Sequence, residues 1–156
     1  PGLVAMAISA VDVALWDLKA RLLDVPLGRL LGAVREDAAV YASGGFTTYD
    51  DATTRRQLAD WCAAGHDRVK IKIGEAWGTA VGRDLARSRL ARDVVGDGVE
   101  LLVDANGGYT AKQAVRVGRE LDELGVVWFE EPVSSDDLRG LRQVRERLDA
   151  DVAAGE

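Results

Sequence analysis

The sequence predicts an α/β fold in which buried parallel strands alternate with helices. Five short runs are rich in Val, Ile and Leu and almost continuously apolar: 38–43, 69–73, 100–104, 126–130 and 151–155. Such runs are typical of parallel strands that are covered on both faces. Each gap between them is long enough for a helix, and repeated strand–helix alternation indicates a parallel sheet. This pattern alone leaves open whether the sheet is Rossmann-like or closed into a barrel.

Two helical segments are predicted before the first strand. The first carries an apolar face whose members recur every three or four residues: Ile8, Val11, Leu15, Leu18 and Leu22. Pro26 begins a short second segment, and Gly32 ends it. Less regular patterns predict two further helices between the first three strands, near 52–64 and 79–95.

The last two helices have clearer ends. Thr110 and Gln113 form a capping-box pattern at the start of one helix, and Gly125 is a stop signal after it. The final helix is expected to open at 135–137, where two carboxylates would meet the positive end of the helix dipole. Its inward stripe is predicted to be Leu138, Leu141, Val144 and Leu148.

Composition excludes several classes of protein. The chain has 156 residues, 47% of them hydrophobic, which is enough for one domain with a sizeable core. A formal net charge of −6 argues against a nucleic-acid partner. No window approaches the roughly 18 uninterrupted apolar residues of a membrane span, so no membrane partner is expected. A single cysteine, Cys62, excludes an internal disulfide and favours a cytoplasmic location.

Three acidic residues end the last three predicted strands. The separations from Asp104 to Glu130 and from Glu130 to Glu156 are both 26 residues, the length of one strand–helix unit. Equal steps of this kind bring the three carboxylates to one edge of a parallel sheet, where α/β enzymes place their active sites. Clustered carboxylates repel each other unless a cation lies between them, and oxygen ligands suit Mg²⁺. The alternative is that three unrelated acids cap helix N-termini.

Two lysines lie on the strand before these acids. Lys70 and Lys72 have the period of two that places both on one face of a strand. An unpaired buried ammonium is costly, but a neighbouring carboxylate cluster would stabilise both lysines. Lys72 lies nearer the carboxyl end of the strand and is the predicted general base. The alternative is an edge strand with solvated lysines.

In this order, the motifs resemble the enolase superfamily and, within it, the mandelate racemase-like subgroup. The resemblance runs over nearly the whole chain and includes 14–19, 26–32, 70–72, 104–106, 130–132 and Glu156. It implies a partial (β/α)7β barrel of the TIM type, with about five of the eight strands. Residues 1–156 would then be one partial barrel domain, with a leading helical segment at 1–35 and five strand–helix units at 36–156. The N-terminal capping domain and the last barrel strands are expected to be absent.

The resemblance also implies roles for the site residues. Asp104, Glu130 and Glu156 would bind Mg²⁺, Lys72 would be the base, and Lys70 its electrostatic partner. Asn106 matches a position close to metal and substrate.

Three nearby residues are assigned from their place in the sequence. Ser43 ends the first strand and is expected to contact substrate, although Ser-Gly-Gly is equally a turn signal. Glu131 is expected to orient a metal ligand or a lysine, with an interior ion pair as the alternative. Trp128 is assigned to packing.

The implied reaction is Mg²⁺-dependent abstraction of the proton α to a carboxylate, which forms a metal-stabilised enediolate. The resemblance also implies sugar-acid or hydroxy-acid substrates, because other subgroups more often have Asp at the position of Glu156. We therefore expect an acid-sugar dehydratase, then a 2-hydroxy-acid racemase or epimerase, then a cycloisomerase or dipeptide epimerase. The second acid/base would lie on the absent strands, so this chain alone is expected to be inactive. Full-length relatives often form homo-oligomers. The alternative from a different class is a non-catalytic metal-binding or assembly module.

Overall fold

The computed structural model describes residues 2–155, which form seven helical elements and five strands. The helical elements are α1 (Leu3–Leu22), α2 (Leu27–Leu30), α3 (Asp51–Ala63), α4 (Glu75–Gly78), α5 (Val81–Val95), α6 (Ala111–Glu123) and α7 (Leu138–Arg145). The strands are β1 (Ala42–Gly44), β2 (Arg68–Lys72), β3 (Glu100–Asp104), β4 (Val126–Glu130) and β5 (Asp151–Ala153). No helix among these residues is long and apolar enough to cross a membrane.

The chain divides into two compact units, of which the first runs to Ala39 and contains α1 and α2. Within α1, the Arg21 guanidinium pairs with Asp17 one turn earlier, at 2.8 Å from Nε to Oδ2. The residues of the predicted apolar face all lie within α1, as expected, and their side chains are exposed: Ile8, Val11, Leu15, Leu18 and Leu22.

The second unit, Val40–Gly155, contains a parallel sheet whose strands follow their sequence order, β1-β2-β3-β4-β5. In an open doubly wound sheet the strand order reverses at a switch point, whereas in a barrel it does not. The sequential order therefore identifies a segment of a barrel wall, and the predicted α/β barrel class is confirmed.

The core lies between this sheet and its helices. Alternate strand residues, including Val69, Ile71, Val103 and Phe129, are buried against the helical layer. The helices contribute fully buried side chains to the same cluster: Leu58, Ala91, Val117, Leu121 and Val144. Because successive side chains point to opposite faces of a strand, the intervening positions face the barrel interior. Lys70, Lys72, Asp104 and Glu130 occupy those intervening positions.

The strand predictions are confirmed most closely at the centre of the sheet. β3 and β4 have the predicted bounds, and β2 begins and ends one residue earlier than predicted. The first strand is predicted at 38–43 but covers only Ala42–Gly44, because these are the residues in register with β2. The fifth strand likewise ends at Ala153, since only three of its residues pair with β4.

Of the last two predicted helix starts, the capping box at Thr110 is wrong, and the carboxylate start at 135–137 is confirmed. The Thr110 side chain makes no cap hydrogen bond, and the Gln113 amide donates to the Gly78 carbonyl instead of closing a capping box. The final helix starts after Asp137, whose Oδ1 accepts from the Gly140 N–H at 2.8 Å. Leu138 is therefore in the first turn and exposed, rather than part of the inward stripe.

Candidate metal centre and active site

The register of the sheet brings three charged side chains to the same edge. Lys72 of β2 is paired with Asp104 of β3, and Asp104 with Glu130 of β4. All three are the last residues of their strands. Because the strands are parallel, their carboxyl ends form one edge, and Lys72, Asp104 and Glu130 lie side by side there.

Two lysines balance the two carboxylates. Asp104 is fully buried, and its Oδ2 pairs with Lys72 Nζ and lies 3.7 Å from Lys70 Nζ. Glu130 Oε2 lies 2.6 Å from Lys70 Nζ. Lys70 therefore contacts both carboxylates. Ion pairing of this kind compensates for the cost of removing charges from water.

Neutral donors complete the hydrogen bonding of the carboxylates. The Asn106 backbone N–H donates to Asp104 Oδ1 at 2.8 Å. Trp128 Nε1 donates to Glu130 Oε2 at 3.1 Å. Lys70 in turn donates to the Tyr41 hydroxyl at 3.1 Å. Each carboxylate is thus held by at least one neutral donor as well as by an ammonium.

The pKa shifts in this cluster favour the charged forms. Burial lowers the pKa of Lys70, but its hydrogen bonds to Glu130 and Tyr41 outweigh burial and raise that pKa above its ordinary value. Burial raises the pKa of Glu130, but hydrogen bonds from Lys70 and Trp128 outweigh it and hold that pKa below its ordinary value. The Lys70–Glu130 pair is therefore ionised at neutral pH.

Two of the three predicted metal ligands are brought together. Asp104 and Glu130 end neighbouring strands, and Lys70 Nζ lies between their oxygens, so this position already accommodates positive charge. Carboxylate oxygens are suitable ligands for Mg²⁺. The third predicted ligand, Glu156, lies outside the described residues. Within residues 2–155, no three His, Cys, Asp or Glu side chains are grouped closely enough to hold a metal ion.

The remaining predicted site residues are Asn106, Ser43 and Glu131. Asn106 adopts a left-handed backbone conformation, with φ of 45°, beside Asp104. Ser43 is in register with Lys70, below the edge of the sheet, and its contact with substrate stays a prediction. Glu131 is buried, and its backbone donates to the Ala153 carbonyl at 2.7 Å and accepts from the Gly107 N–H at 2.8 Å. The orienting role of the Glu131 side chain stays a prediction.

Two residues that contact the cluster were not predicted to do so from the sequence. The sequence-based assignment of Trp128 to packing is wrong, because the Trp128 indole donates a hydrogen bond to Glu130. Its position two residues before Glu130 on one strand is the signal that it shares that face. Tyr41 precedes β1, and its ring centroid lies 4.9 Å from Lys70 Nζ. No spacing in the sequence indicates that contact.

A cavity of about 450 Å³ opens beside the cluster. The residues that line it include Phe46, Thr47, Lys72, Trp77 and Asn106. Lys72 is the one ionisable side chain among the described residues of its wall. An amine at the wall of a cavity, beside carboxylates that fit a cation, can exchange a proton with a bound ligand.

Family models match most of the chain. Residues 53–156 match the model described as enolase C-terminal domain-like, and residues 2–32 match the mandelate racemase / muconate lactonizing enzyme N-terminal domain. The L-talarate/galactarate dehydratase of Salmonella typhimurium is 34% identical over 99% of this chain and 38% of its own length. The arabinonate dehydratase of Saccharolobus solfataricus and the D-galactarolactone cycloisomerase of Agrobacterium fabrum also match. They are 33% and 35% identical over 99% of this chain and 41% of their own lengths.

Solved structures also match nearly the whole of this chain. A mandelate racemase/muconate lactonizing enzyme-like protein from Rubrobacter xylanophilus is 49% identical, with a TM-score of 0.91 over 100% of this chain and 43% of that one. A racemase from Streptomyces coelicolor with bound magnesium is 35% identical, with a TM-score of 0.87 over 96% of this chain and 41% of that one. The chain spans about two fifths of the length of these relatives.

Proposed function

Because this chain belongs to the mandelate racemase/muconate lactonizing enzyme family of the enolase superfamily, we propose that its complete protein abstracts the proton α to a substrate carboxylate in a Mg²⁺-dependent reaction. The observation that carries the proposal is the row of Lys72, Asp104 and Glu130 along one sheet edge. Lys72 also lines the adjacent cavity, so one residue connects the carboxylates with the place where a substrate would bind.

Asp104 and Glu130 would hold the metal, with Glu156 as the third ligand expected from the resemblance. When bound, a divalent cation supplies positive charge that stabilises the negative charge developing on the substrate carboxylate. Lys70 is buried and holds Glu130 in place through a 2.6 Å ion pair. It also adds a fixed positive charge to the same region, which favours the transition state over the ground state.

Lys72 is the proposed base. Asp104 binds its Nζ at the wall of the cavity, and the side chain remains 21% exposed. From this position, Lys72 can take a proton from one face of a bound substrate, or return one to it. Asn106 lines the same wall, and a side-chain amide is suited to hydrogen bonding with substrate oxygens.

Dehydration of an acid sugar is the reaction we favour. In that reaction the α-proton goes to the base, the β-hydroxyl leaves after protonation as water, and a double bond forms between the two carbons. The proposal is supported by relatives named as dehydratases of talarate or galactarate, arabinonate and gluconate, at 33–35% identity. Cycloisomerisation is the second candidate, because two relatives at 35% identity are named as cycloisomerases of sugar-derived acids or lactones.

The test is exchange of the substrate α-proton with deuterated water, followed by NMR. It uses the protein expressed from its complete reading frame, with Mg²⁺ and a panel of galactarate, gluconate and arabinonate. Lys72→Ala is expected to reduce exchange by about 10²–10⁴-fold, the usual loss for a general base. Mg²⁺ binding should persist, because Asp104 and Glu130 remain. Lys112→Ala, on the exposed face of α6, is the matched control.

Two outcomes would contradict the proposal at different points. Wild-type exchange in Lys72→Ala would remove Lys72 from the reaction. A wild-type protein that binds Mg²⁺ and exchanges no α-proton with any acid of the panel would favour a non-catalytic metal-binding module.

A further inference from the structure

The segment after β2 has an unfavourable backbone conformation. Ala76 and Trp77, inside α4, have φ values of 52° and 56°. These values lie in the left-handed region, which non-glycine residues rarely occupy because Cβ approaches the backbone. Two successive residues of this kind persist only where the surroundings hold them, and such strain concentrates at functional sites.

Three neighbouring groups hold this turn. Asp84 Oδ1 accepts from the Glu75 backbone N–H at 3.0 Å, and the Tyr109 hydroxyl donates to Asp84 Oδ2 at 2.6 Å. At the other end, the Gln113 side chain donates to the Gly78 carbonyl. A Cβ atom on Gly78 would lie only 2.3 Å from the Gly108 carbonyl oxygen. The turn is therefore fixed on both sides of Trp77.

The fixed turn presents a large aromatic side chain to solvent. Trp77 is 85% exposed, although tryptophan is on average a highly buried residue. Trp77 is one of the residues that line the cavity, together with Lys72 and Asn106. An exposed indole on a strained, fixed backbone is a contact surface arranged before any ligand binds.

The rest of the cavity wall defines what such a surface would contact. Phe46 supplies a second aromatic ring, while Thr47 and Asn106 supply a hydroxyl and an amide. A polyhydroxylated carbon chain presents both C–H and O–H groups along its length. The negative face of an aromatic ring attracts the C–H groups, and the amide and hydroxyl can hydrogen-bond the O–H groups.

We propose that Trp77 is a specificity-determining residue that packs its ring against the distal, hydroxylated part of an acid sugar. This inference rests on the proposed function, which places the reacting end of the same substrate beside Lys72. Trp77 increases the affinity for a long substrate. It takes no part in the proton transfer.

The experiment measures α-proton exchange in the complete protein with Mg²⁺, with galactarate, gluconate and arabinonate as substrates. Trp77→Ala is expected to raise KM by about 10-fold, with kcat for exchange changed by less than about 2-fold. Trp77→Phe, which keeps an aromatic face, should recover most of the loss. Glycolate has no distal chain, so its inhibition constant should be the same in wild type and Trp77→Ala. Leu138→Ala removes another exposed apolar side chain and is the control.

The possible failures are distinct. An unchanged KM in Trp77→Ala, with normal exchange by the wild-type protein, overturns this inference alone. A lowered melting temperature with unchanged KM also overturns it, because the indole would then pack against protein. An equal weakening of galactarate and glycolate overturns it as well, since the effect would not depend on the distal chain. Absence of exchange in the wild-type protein overturns the proposed function, and this inference with it.

Discussion

Glu130 accepts two hydrogen bonds through the same carboxylate oxygen. Lys70 Nζ is 2.6 Å from Oε2, and Trp128 Nε1 is 3.1 Å from it. The ammonium contributes charge, whereas the indole is a neutral donor whose position is fixed by the strand that it shares with Glu130. Partners of this kind orient a metal-binding carboxylate before the metal arrives. If Glu130 binds the metal as proposed, Trp128 is a positioning residue for it.

We therefore expect Trp128→Phe to weaken Mg²⁺ binding by about 10-fold, since loss of such an orienting partner typically costs 10- to 100-fold in metal affinity. Isothermal titration of the complete protein with MgCl₂ measures the change. Trp61→Phe is the matched control. It is the same substitution, at a tryptophan of α3 that packs against the core. Equal dissociation constants for wild type and Trp128→Phe would show that the indole has no orienting role.

Among the elements, α5 connects the two loops that line the cavity. Its Asp84 accepts from the Glu75 N–H and from Tyr109. Arg87 of the same helix is buried. Its Nη1 donates to the Phe46 carbonyl at 3.2 Å, and its Nη2 donates to the carbonyls of Thr47 and Tyr49 at 3.0 and 3.3 Å. One helix thus holds both the loop after β1 and the turn after β2. The shape of the cavity depends on these buried polar contacts.

The Asp84 contact predicts a pH dependence of stability. Burial raises the pKa of Asp84 above its ordinary value of 3.8, although hydrogen bonds from Tyr109 and the backbone partly offset the effect. The folded protein then binds this proton more tightly than the unfolded chain does. The free energy of unfolding contributed by Asp84 therefore falls as pH rises from 3.8 through the raised pKa, and is constant above it.

Asp84→Asn removes this titration and keeps an oxygen for the Glu75 N–H, while its amide can donate to the Tyr109 hydroxyl. The free energy of unfolding of the variant, relative to wild type, should increase with pH across that interval. Urea unfolding at a series of pH values from about 4 to 7 measures both curves. Parallel curves would mean that the pKa of Asp84 is the same in the folded and unfolded protein.

The central elements of the fold were predictable from the sequence, and their ends were less so. β3 and β4 have the predicted bounds because their apolar runs pair with strands on both sides. β1 and β5 are shorter than their apolar runs, since pairing with one neighbour determines where each strand begins and ends. The capping-box prediction at Gln113 is wrong because the amide bonds Gly78, 35 residues away in sequence. Local spacing carries no information about such a partner.

The same distinction applies to the site. Equal spacing along the chain placed Asp104 and Glu130 side by side, and a period of two placed Lys70 and Lys72 on one face. Tyr41 and the strained turn at Trp77 depend on tertiary contacts and have no comparable pattern in the sequence.

At the scale of the whole Val40–Gly155 unit, the site exists only while the sheet is intact. Asp104 and Glu130 are adjacent because β3 and β4 are paired, and Lys70 reaches both from β2. In the unfolded chain Asp104 and Glu130 are 26 residues apart in sequence and are not held near each other. A cation that needs both carboxylates therefore binds the folded state far more tightly than the unfolded one. Its binding free energy becomes free energy of unfolding.

Mg²⁺ at 100 times its dissociation constant should accordingly stabilise the complete protein by about 2.7 kcal/mol. Glu130→Gln should lose most of this stabilisation, because one anionic ligand is replaced by a neutral amide. It should also destabilise the metal-free protein, since Lys70 would keep its buried charge without its 2.6 Å partner. Denaturant unfolding with Mg²⁺ and with EDTA separates the two effects. Glu120→Gln, whose exposed carboxylate pairs with Arg89 on the helical surface, is the control. If Glu130→Gln gained as much stability from Mg²⁺ as the wild type, Glu130 would be a partner of Lys70 alone, and the metal would have to be held elsewhere.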